Sequence, residues 1–127
     1  MRLNHVGIVC STRENSERFF GELLGLAKTR EKTVPAELCL KLFGQEREYR
    51  AITYANEQTA FEVFISGAAG CGVPAPSHTC LGVRDLQGFV STCSRMGVEV
   101  ITAPKGDSYV TFIKDYDGNL YEIQQSA

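Results

Sequence analysis

The sequence is poor in most of the features that announce a partner. No run of apolar residues approaches the ~20 needed to cross a bilayer as a helix, so no spanning segment is expected. Charge of either sign is nearly balanced, with 13 basic and 15 acidic side chains and a net charge of −2. Nucleic acids and acidic membrane surfaces attract proteins through concentrated basic patches; neither partner is expected. The five cysteines are odd in number and form no C-x-x-C pair. That argues against a disulfide framework or a cysteine-zinc site and for reduced, mostly buried thiols. Phosphate loops and dinucleotide fingerprints are missing as well. The opening Met1-Arg2-Leu3-Asn4-His5 enters an alternating strand pattern at once, without the apolar core of a signal peptide. A cytoplasmic location is therefore expected. Histidine is scarce: His5 and His78 are the only two.

What is present is an ordinary globular composition, 43% hydrophobic and 22% charged over 127 residues. That length suits one compact domain, or two small halves sharing a core. Patterning favours the second description. Residues 3–10 read as a strand. Ser11-Thr12-Arg13-Glu14 matches a capping box, and Phe19, Phe20, Leu23 and Leu24 follow at helical spacing. Gly25 stands where a helix commonly stops, and residues 26–34 look extended. The same order returns: a strand over 77–83, Asp85 as a cap, Leu86, Phe89, Val90, Cys93 and Met96 at helical spacing, Gly97 as the stop, and an extended Val98-Glu99-Val100-Ile101. His5 lies 20 residues before Gly25, and His78 lies 19 before Gly97. Such an internal repeat changes the expected architecture.

Each copy closes on a hairpin whose last strand carries a glutamate. Residues 46–55 and 59–66 flank Asn56-Glu57-Gln58; residues 108–114 and 120–124 flank Asp115-Tyr116-Asp117-Gly118-Asn119, with the Asp-Gly turn signal. The glutamates are Glu62 and Glu122. His5 and Glu62 are 57 residues apart, His78 and Glu122 only 44. The extra 13 residues fit a short helix over 35–44, started by Pro35 and ended by Gly44. Leu38, Cys39, Leu42 and Phe43 fall on one side of it, and Glu37 and Lys41 are spaced as an i,i+4 pair. A strand reading of this segment stays open, since short apolar runs are ambiguous. The expected organisation is a single α+β domain with internal units 1–66 and 77–125, joined by a Gly-, Ala- and Pro-rich linker over 67–76.

Strand alternation puts Phe61, Val63 and Ile65 on one face and Glu62 on the other, and sets Glu122 opposite Tyr121 and Ile123. A lone carboxylate among apolar residues is costly to bury unless paired or bound to a metal. Two imidazoles and two carboxylates at matching places in a repeat suit Zn, Ni, Co, Mn or Fe(II). Convergence about a pseudo-twofold axis would leave coordination positions open. The alternative is that a duplication copied four structural residues. Arg13, Arg18, Arg30, Arg47, Arg50, Arg84 and Arg95 are candidates for an anionic substrate, and Tyr49, Tyr54, Tyr109 and Tyr121 for cavity lining. Gly7 and Gly82 read as close-packing positions.

His5-Val6-Gly7-Ile8, then Ser16-Glu17-Arg18-Phe19-Phe20-Gly21-Glu22-Leu23-Leu24-Gly25, resembles the opening of glyoxalase/bleomycin-resistance/extradiol-dioxygenase proteins, the vicinal oxygen chelate superfamily. Asp115-Tyr116-Asp117-Gly118-Asn119-Leu120-Tyr121-Glu122 resembles its closing Asp-Pro-Asp-Gly-Asn-x-x-Glu motif, with Tyr116 in place of proline. The resemblance covers nearly the whole chain. It implies two βαβββ units pairing into a curved mixed sheet around a metal-binding cavity, with His5, Glu62, His78 and Glu122 as metal ligands. It further implies a lyase or isomerase that stabilises an enolate or ene-diolate on a chelated substrate, with Glu62 or Glu122 doubling as the base. The His-Glu-His-Glu set is similar to that of glyoxalase I. Methylmalonyl-CoA epimerases are close in architecture, and an epimerase-like enzyme is an alternative, although they typically have Gln where Glu62 stands; fosfomycin-resistance transferases use a His-His-Glu set. The glutathione-binding Arg and Asn of glyoxalase I correspond to Val9 and Ser66, which puts glutathione use in doubt. A metal-free antibiotic-sequestering protein is the alternative of another class. The open sheet edges of small units imply a homodimer.

Overall fold

The computed structural model describes residues 3–68 and 77–126. Most of the expected linker, with Cys71, lies outside them. The chain divides into two compact units, Met1–Cys71 and Gly72–Ala127.

The first unit runs β1 (Val6–Cys10), α1 (Arg13–Ser16), a π-helical continuation (Glu17–Leu23), β2 (Ala27–Val34), α2 (Ala36–Phe43), β3 (Tyr49–Ala55) and β4 (Ala60–Ile65). The second runs β5 (Thr79–Val83), α3 (Leu86–Arg95), β6 (Glu99–Lys105), β7 (Ser108–Lys114) and β8 (Leu120–Gln125). Each unit is a four-stranded mixed sheet, in the orders β1-β4-β3-β2 and β5-β8-β7-β6. Both are the βαβββ unit read from the sequence, and α2 is the insertion that distinguishes the first.

The repeat extends to the register. Val6 pairs with Phe61 and Gly7 with Glu62; Thr79 pairs with Tyr121 and Cys80 with Glu122. Past the last rung, Ser66 N–H donates to Cys10 O at 2.8 Å and Ser126 N–H to Val83 O at 2.7 Å. Gly25 and Gly97 both sit at φ 69°, in the left-handed region where a side chain would be strained, and both release the chain from its helix.

Three local expectations need correction. The strands begin at Val6 and Thr79, so each histidine immediately precedes its strand. The first helix is capped by Thr12, whose hydroxyl accepts from Asn15 N–H at 3.1 Å, and not by a Ser11–Glu14 box. Ser11 is still held to the sheet, since its carbonyl accepts from Gly67 N–H at 2.8 Å. β3 begins at Tyr49 because Gln45–Arg47 forms a turn, with Arg47 N–H donating to Gln45 O at 3.0 Å.

The wide π-helical turns seat Phe19, Phe20 and Leu23 on one face of the first sheet. There Phe20 stacks on Tyr54 with ring centres 5.6 Å apart and meets Phe61 at 5.0 Å. Burying each such ring contributes about 1.5–3 kcal/mol. In the second unit α3 packs on β6 and β8, and Ile113, Tyr121, Ile123 and Cys93 are buried. Of the four apolar side chains assigned to one side of α2, only Cys39 is buried, with Val34, Tyr49 and Ala51. Leu38, Leu42 and Phe43 stay exposed. Glu37 and Lys41 do not come within ion-pair distance of each other. No helix among the described residues is long and apolar enough to cross a membrane.

Candidate functional site

Alternation along β4 and β8 sends Phe61, Val63, Tyr121 and Ile123 into the core and Glu62 and Glu122 to the opposite faces. In the parallel ladders each glutamate is the rung partner of the residue two places after the histidine, Gly7 for Glu62 and Cys80 for Glu122. The pairs therefore form within each unit: His5 Nε2 is 3.9 Å from Glu62 Oε2, and His78 Nε2 is 3.5 Å from Glu122 Oε2. Both carboxylates are largely shielded, with side chains 17% and 19% exposed.

These separations exceed the ~2.7–2.9 Å of a charge-assisted N–H···O bond. They lie close to the ~3.4 Å between two donors that each sit ~2.1 Å from a tetrahedral metal. Imidazole nitrogen and carboxylate oxygen are donors that divalent transition metals accept, so the residues fit such an ion. Among the described residues, no third His, Cys, Asp or Glu joins either pair to make a group able to hold a metal. Each unit by itself offers two donors.

The two pairs differ in their surroundings. Glu62 Oε2 also has Lys32 Nζ at 3.8 Å. Glu122 has no lysine or arginine within ion-pair distance among the described residues; its Oε1 accepts from Gln124 Nε2 at 2.9 Å. The His78 ring meets Phe112 edge-on, with centres 5.2 Å apart. Cys80 faces Glu122 across the ladder, and desolvation, then the Glu122 carboxylate, push its thiol above the ordinary value.

Beside Glu62 on the same face of the first sheet lies a pocket of about 290 Å³, lined by Gly7, Val9, Phe43, Gln45, Tyr49 and Phe64. Gly7 is the rung partner of Glu62, and Val9 that of Phe64. Phe43, at the end of the inserted helix, and Tyr49 both meet the Phe64 ring edge-on, at 5.7 and 5.8 Å.

Residues 4–112 match the family model of the Glyoxalase/Bleomycin resistance protein/Dioxygenase superfamily. The chain belongs to this superfamily. Solved structures share its fold. A glyoxalase family protein from Enterococcus faecalis superposes with a TM-score of 0.72 at 22% identity, over 96% of this chain and 95% of that one. Leishmania major glyoxalase I, a trypanothione-dependent enzyme, gives 0.71 at 19% identity, over 98% and 86%. The fosfomycin resistance protein FosX from Listeria monocytogenes, solved with Mn(II) and sulfate, gives 0.70 at 10% identity, over 98% and 90%. No curated protein matches the sequence.

Within the superfamily fold, the closing motif builds the turn that delivers Glu122. Buried Asp115 accepts from Asp117 N–H and Asn119 N–H, both at 2.9 Å, from Asn119 Nδ2 at 2.8 Å and from the Tyr121 hydroxyl at 3.1 Å. Tyr116, where the family motif has proline, donates its hydroxyl to Met96 O at 2.7 Å and ties the turn to the end of α3.

The arginine candidates divide. Arg13 bonds Glu31, and Arg50 Nη2 lies 3.4 Å from it, on the face of the sheet opposite Glu62. Arg47 lies over the Tyr49 ring at 4.0 Å. Of the tyrosines, Tyr49 lines the pocket, Tyr54 and Tyr121 are buried, and Tyr109 is exposed. Sequence reading missed Lys32. Its signal is the ladder that pairs Lys32 with Ala51 and Ala51 with Phe64, a register that no local pattern encodes.

Proposed function

We propose that the chain is a metal-dependent lyase or isomerase of glyoxalase type, acting on a small substrate with adjacent oxygens. His5, Glu62, His78 and Glu122 are the metal ligands, and the two units act as one domain. The supporting observation is the pair of matched His–Glu contacts, placed on equivalent rungs of two ladders. A bound divalent cation supplies a Lewis acid that offsets charge developing on a substrate oxygen.

The chain's own residues do the rest. Glu62 and Glu122 face away from their cores, where a carboxylate oxygen can take a proton from a substrate carbon. Lys32 sets a positive charge beside Glu62, at 3.8 Å, that can orient an anionic substrate group. Val9 and Phe64 present an apolar surface where glutathione-binding relatives carry Arg near the first histidine, which supports a substrate other than glutathione. Each sheet has two edge strands, β1 and β2 or β5 and β6, which supports assembly as a homodimer.

Metal analysis of protein purified without chelator, followed by titration with Zn, Ni, Co, Mn and Fe(II) at neutral pH, tests this reading. One tightly bound equivalent per chain is expected. Absence of binding by all five favours a metal-free ligand-sequestering protein. Lys32 supports that second reading, because its ammonium already stands beside Glu62.

A further inference from the structure

The pocket under α2 and Lys32 share one face of one sheet. Lys32, Ala51, Phe64 and Val9 form a single row across β2, β3, β4 and β1. Side chains in such a row point the same way. The cation thus stands at one end and the apolar pocket at the other. Neighbouring strands are ~4.8 Å apart, so Lys32 and Phe64, two strands apart, have backbones roughly 10 Å from each other. The His5–Glu62 pair lies on the adjoining row, through Glu62 and its partner Gly7.

The pocket has the chemistry of a specificity site. Ligand sites are mostly apolar, with a few placed polar groups. Here Val9, Phe43, Tyr49 and Phe64 form the walls, and the Tyr49 hydroxyl donates to Gln45 Oε1 at 2.6 Å. A cavity of ~150 Å³ suffices for a benzene ring, so about 290 Å³ takes a ring with part of its side chain. Gly7 leaves room at the floor, since a Cβ there would meet only Phe64 Cε2, at an ordinary 3.7 Å. Phe43 is supplied by the helix that the second unit lacks. The insertion therefore adds a wall that duplication alone would not provide.

We propose that this face takes a substrate with a ring-sized apolar body and a carboxylate, of the aryl 2-hydroxy or 2-oxo acid class. The body fills the α2 pocket, and the carboxylate reaches Lys32 beside Glu62. The proposal rests on the reading of His5 and Glu62 as site residues, and names the substrate class for that site.

Amide chemical-shift titrations of the full chain test it, run once after chelator treatment and once with zinc added. The probes are 3-phenyllactate, lactate, which lacks the ring, and 2-phenylethanol, which lacks the carboxylate. Phenyllactate is expected to move the amides of Gly7, Val9 and Phe64 and to bind at least roughly ten-fold tighter than either fragment. Lys32→Met is expected to weaken phenyllactate roughly ten-fold, the loss of one charge-assisted contact, and to leave 2-phenylethanol unchanged. Gly7→Val fills the floor, and Phe43→Ala removes an exposed wall; each should weaken both ring-bearing probes. If Gly7→Val does not fold, Phe43→Ala carries that arm. Lactate binding as tightly as phenyllactate, shifts centred on other residues, or no shift at millimolar probe would each overturn the proposal. Failure of zinc to bind bears on the metal reading alone, because the chelator-treated titration stands without it.

Discussion

Glu122 divides its two oxygens between two partners, with His78 Nε2 3.5 Å from Oε2 and Gln124 Nε2 2.9 Å from Oε1. The second contact fixes the carboxylate so that the first oxygen faces the imidazole. Fixing a ligand through its outer partners typically changes metal affinity 10–100-fold, and removing the ligand itself does more. Glu122→Gln replaces one oxygen by a donor amide that cannot ligate. Bound zinc, measured by elemental analysis after dialysis, should fall by at least roughly ten-fold. The thermal midpoint should stay close to that of the parent. Glu62→Gln should behave likewise, with one difference: it also deprives Lys32 of its carboxylate. Zinc content unchanged in Glu122→Gln would remove that residue from the site.

The thiols give a pH-dependent test of packing. Cys10, Cys39 and Cys93 are buried, while Cys80 is exposed. Among these four described thiols, a disulfide-exchange reagent should therefore label Cys80 ahead of the three buried ones, which react only on unfolding. Burial pushes the Cys93 thiol from an ordinary 9.0 up to about 11. A raised folded value means that the contribution is complete below pH 9.0 and is lost as pH rises through about 11. At 1.36 kcal/mol per unit, the loss amounts to roughly 2–3 kcal/mol. Urea midpoints at pH 8 and pH 10.5 should separate more for the parent than for Cys93→Ala. Equal separations would show that Cys93 does not titrate with unfolding.

The helix start offers a sharper contrast, because the sequence permits two caps. Ser11 and Thr12 both carry hydroxyls, and Glu14 completes the apparent box with Ser11. Only Thr12 has its side chain on an orphan amide, Asn15 N–H at 3.1 Å. Thr12→Ala should cost about 1 kcal/mol. The Ser11 hydroxyl accepts from Asn15 Nδ2 at 3.1 Å instead, a side-chain contact that leaves the helix amides untouched. Ser11→Ala should cost less than Thr12→Ala in chemical denaturation. The reverse order would restore the capping box.

That contrast shows where sequence reading succeeds and where it stops. Repeats, alternation and turn signals are local, so the βαβββ order, the α2 insertion and the glutamate faces could all be read in advance. The start of α1 could not. Its position depends on Gly67 N–H reaching Ser11 O across 56 residues of chain. Lys32 escaped notice for the same reason. It comes beside Glu62 only through two ladders, and the skip between Lys28 and Arg30 shifts the β2 register before Lys32. Patterning likewise assigned four apolar residues to one side of α2, but packing against Val34, Tyr49 and Ala51 buries Cys39 alone. The exposed remainder includes Phe43, whose ring became part of the pocket.

The closing turn supplies the last test. Asp115 is 5% exposed and accepts four hydrogen bonds, two from backbone amides and two from side chains. Burial nevertheless raises its carboxyl above the ordinary value, because desolvation outweighs these bonds. Asp115→Asn keeps the shape but turns one acceptor oxygen into a donor. At Oδ1 the new amide would oppose the Asp117 and Asn119 amides; at Oδ2 it would meet Asn119 Nδ2 and the Tyr121 hydroxyl. The first orientation sets two buried donors against a third; in the second the Tyr121 hydroxyl can turn to accept, which leaves Asn119 Nδ2 opposed. Each donor left unsatisfied costs about 1–3 kcal/mol. Tyr116→Phe removes the bond to Met96 O and should cost about 1 kcal/mol. Because Asp115 fixes the turn that leads into β8, Asp115→Asn should also displace Glu122 and weaken zinc binding. Tyr116→Phe should lose stability with its zinc affinity unchanged. Equal zinc affinity in both variants would separate the turn from the site.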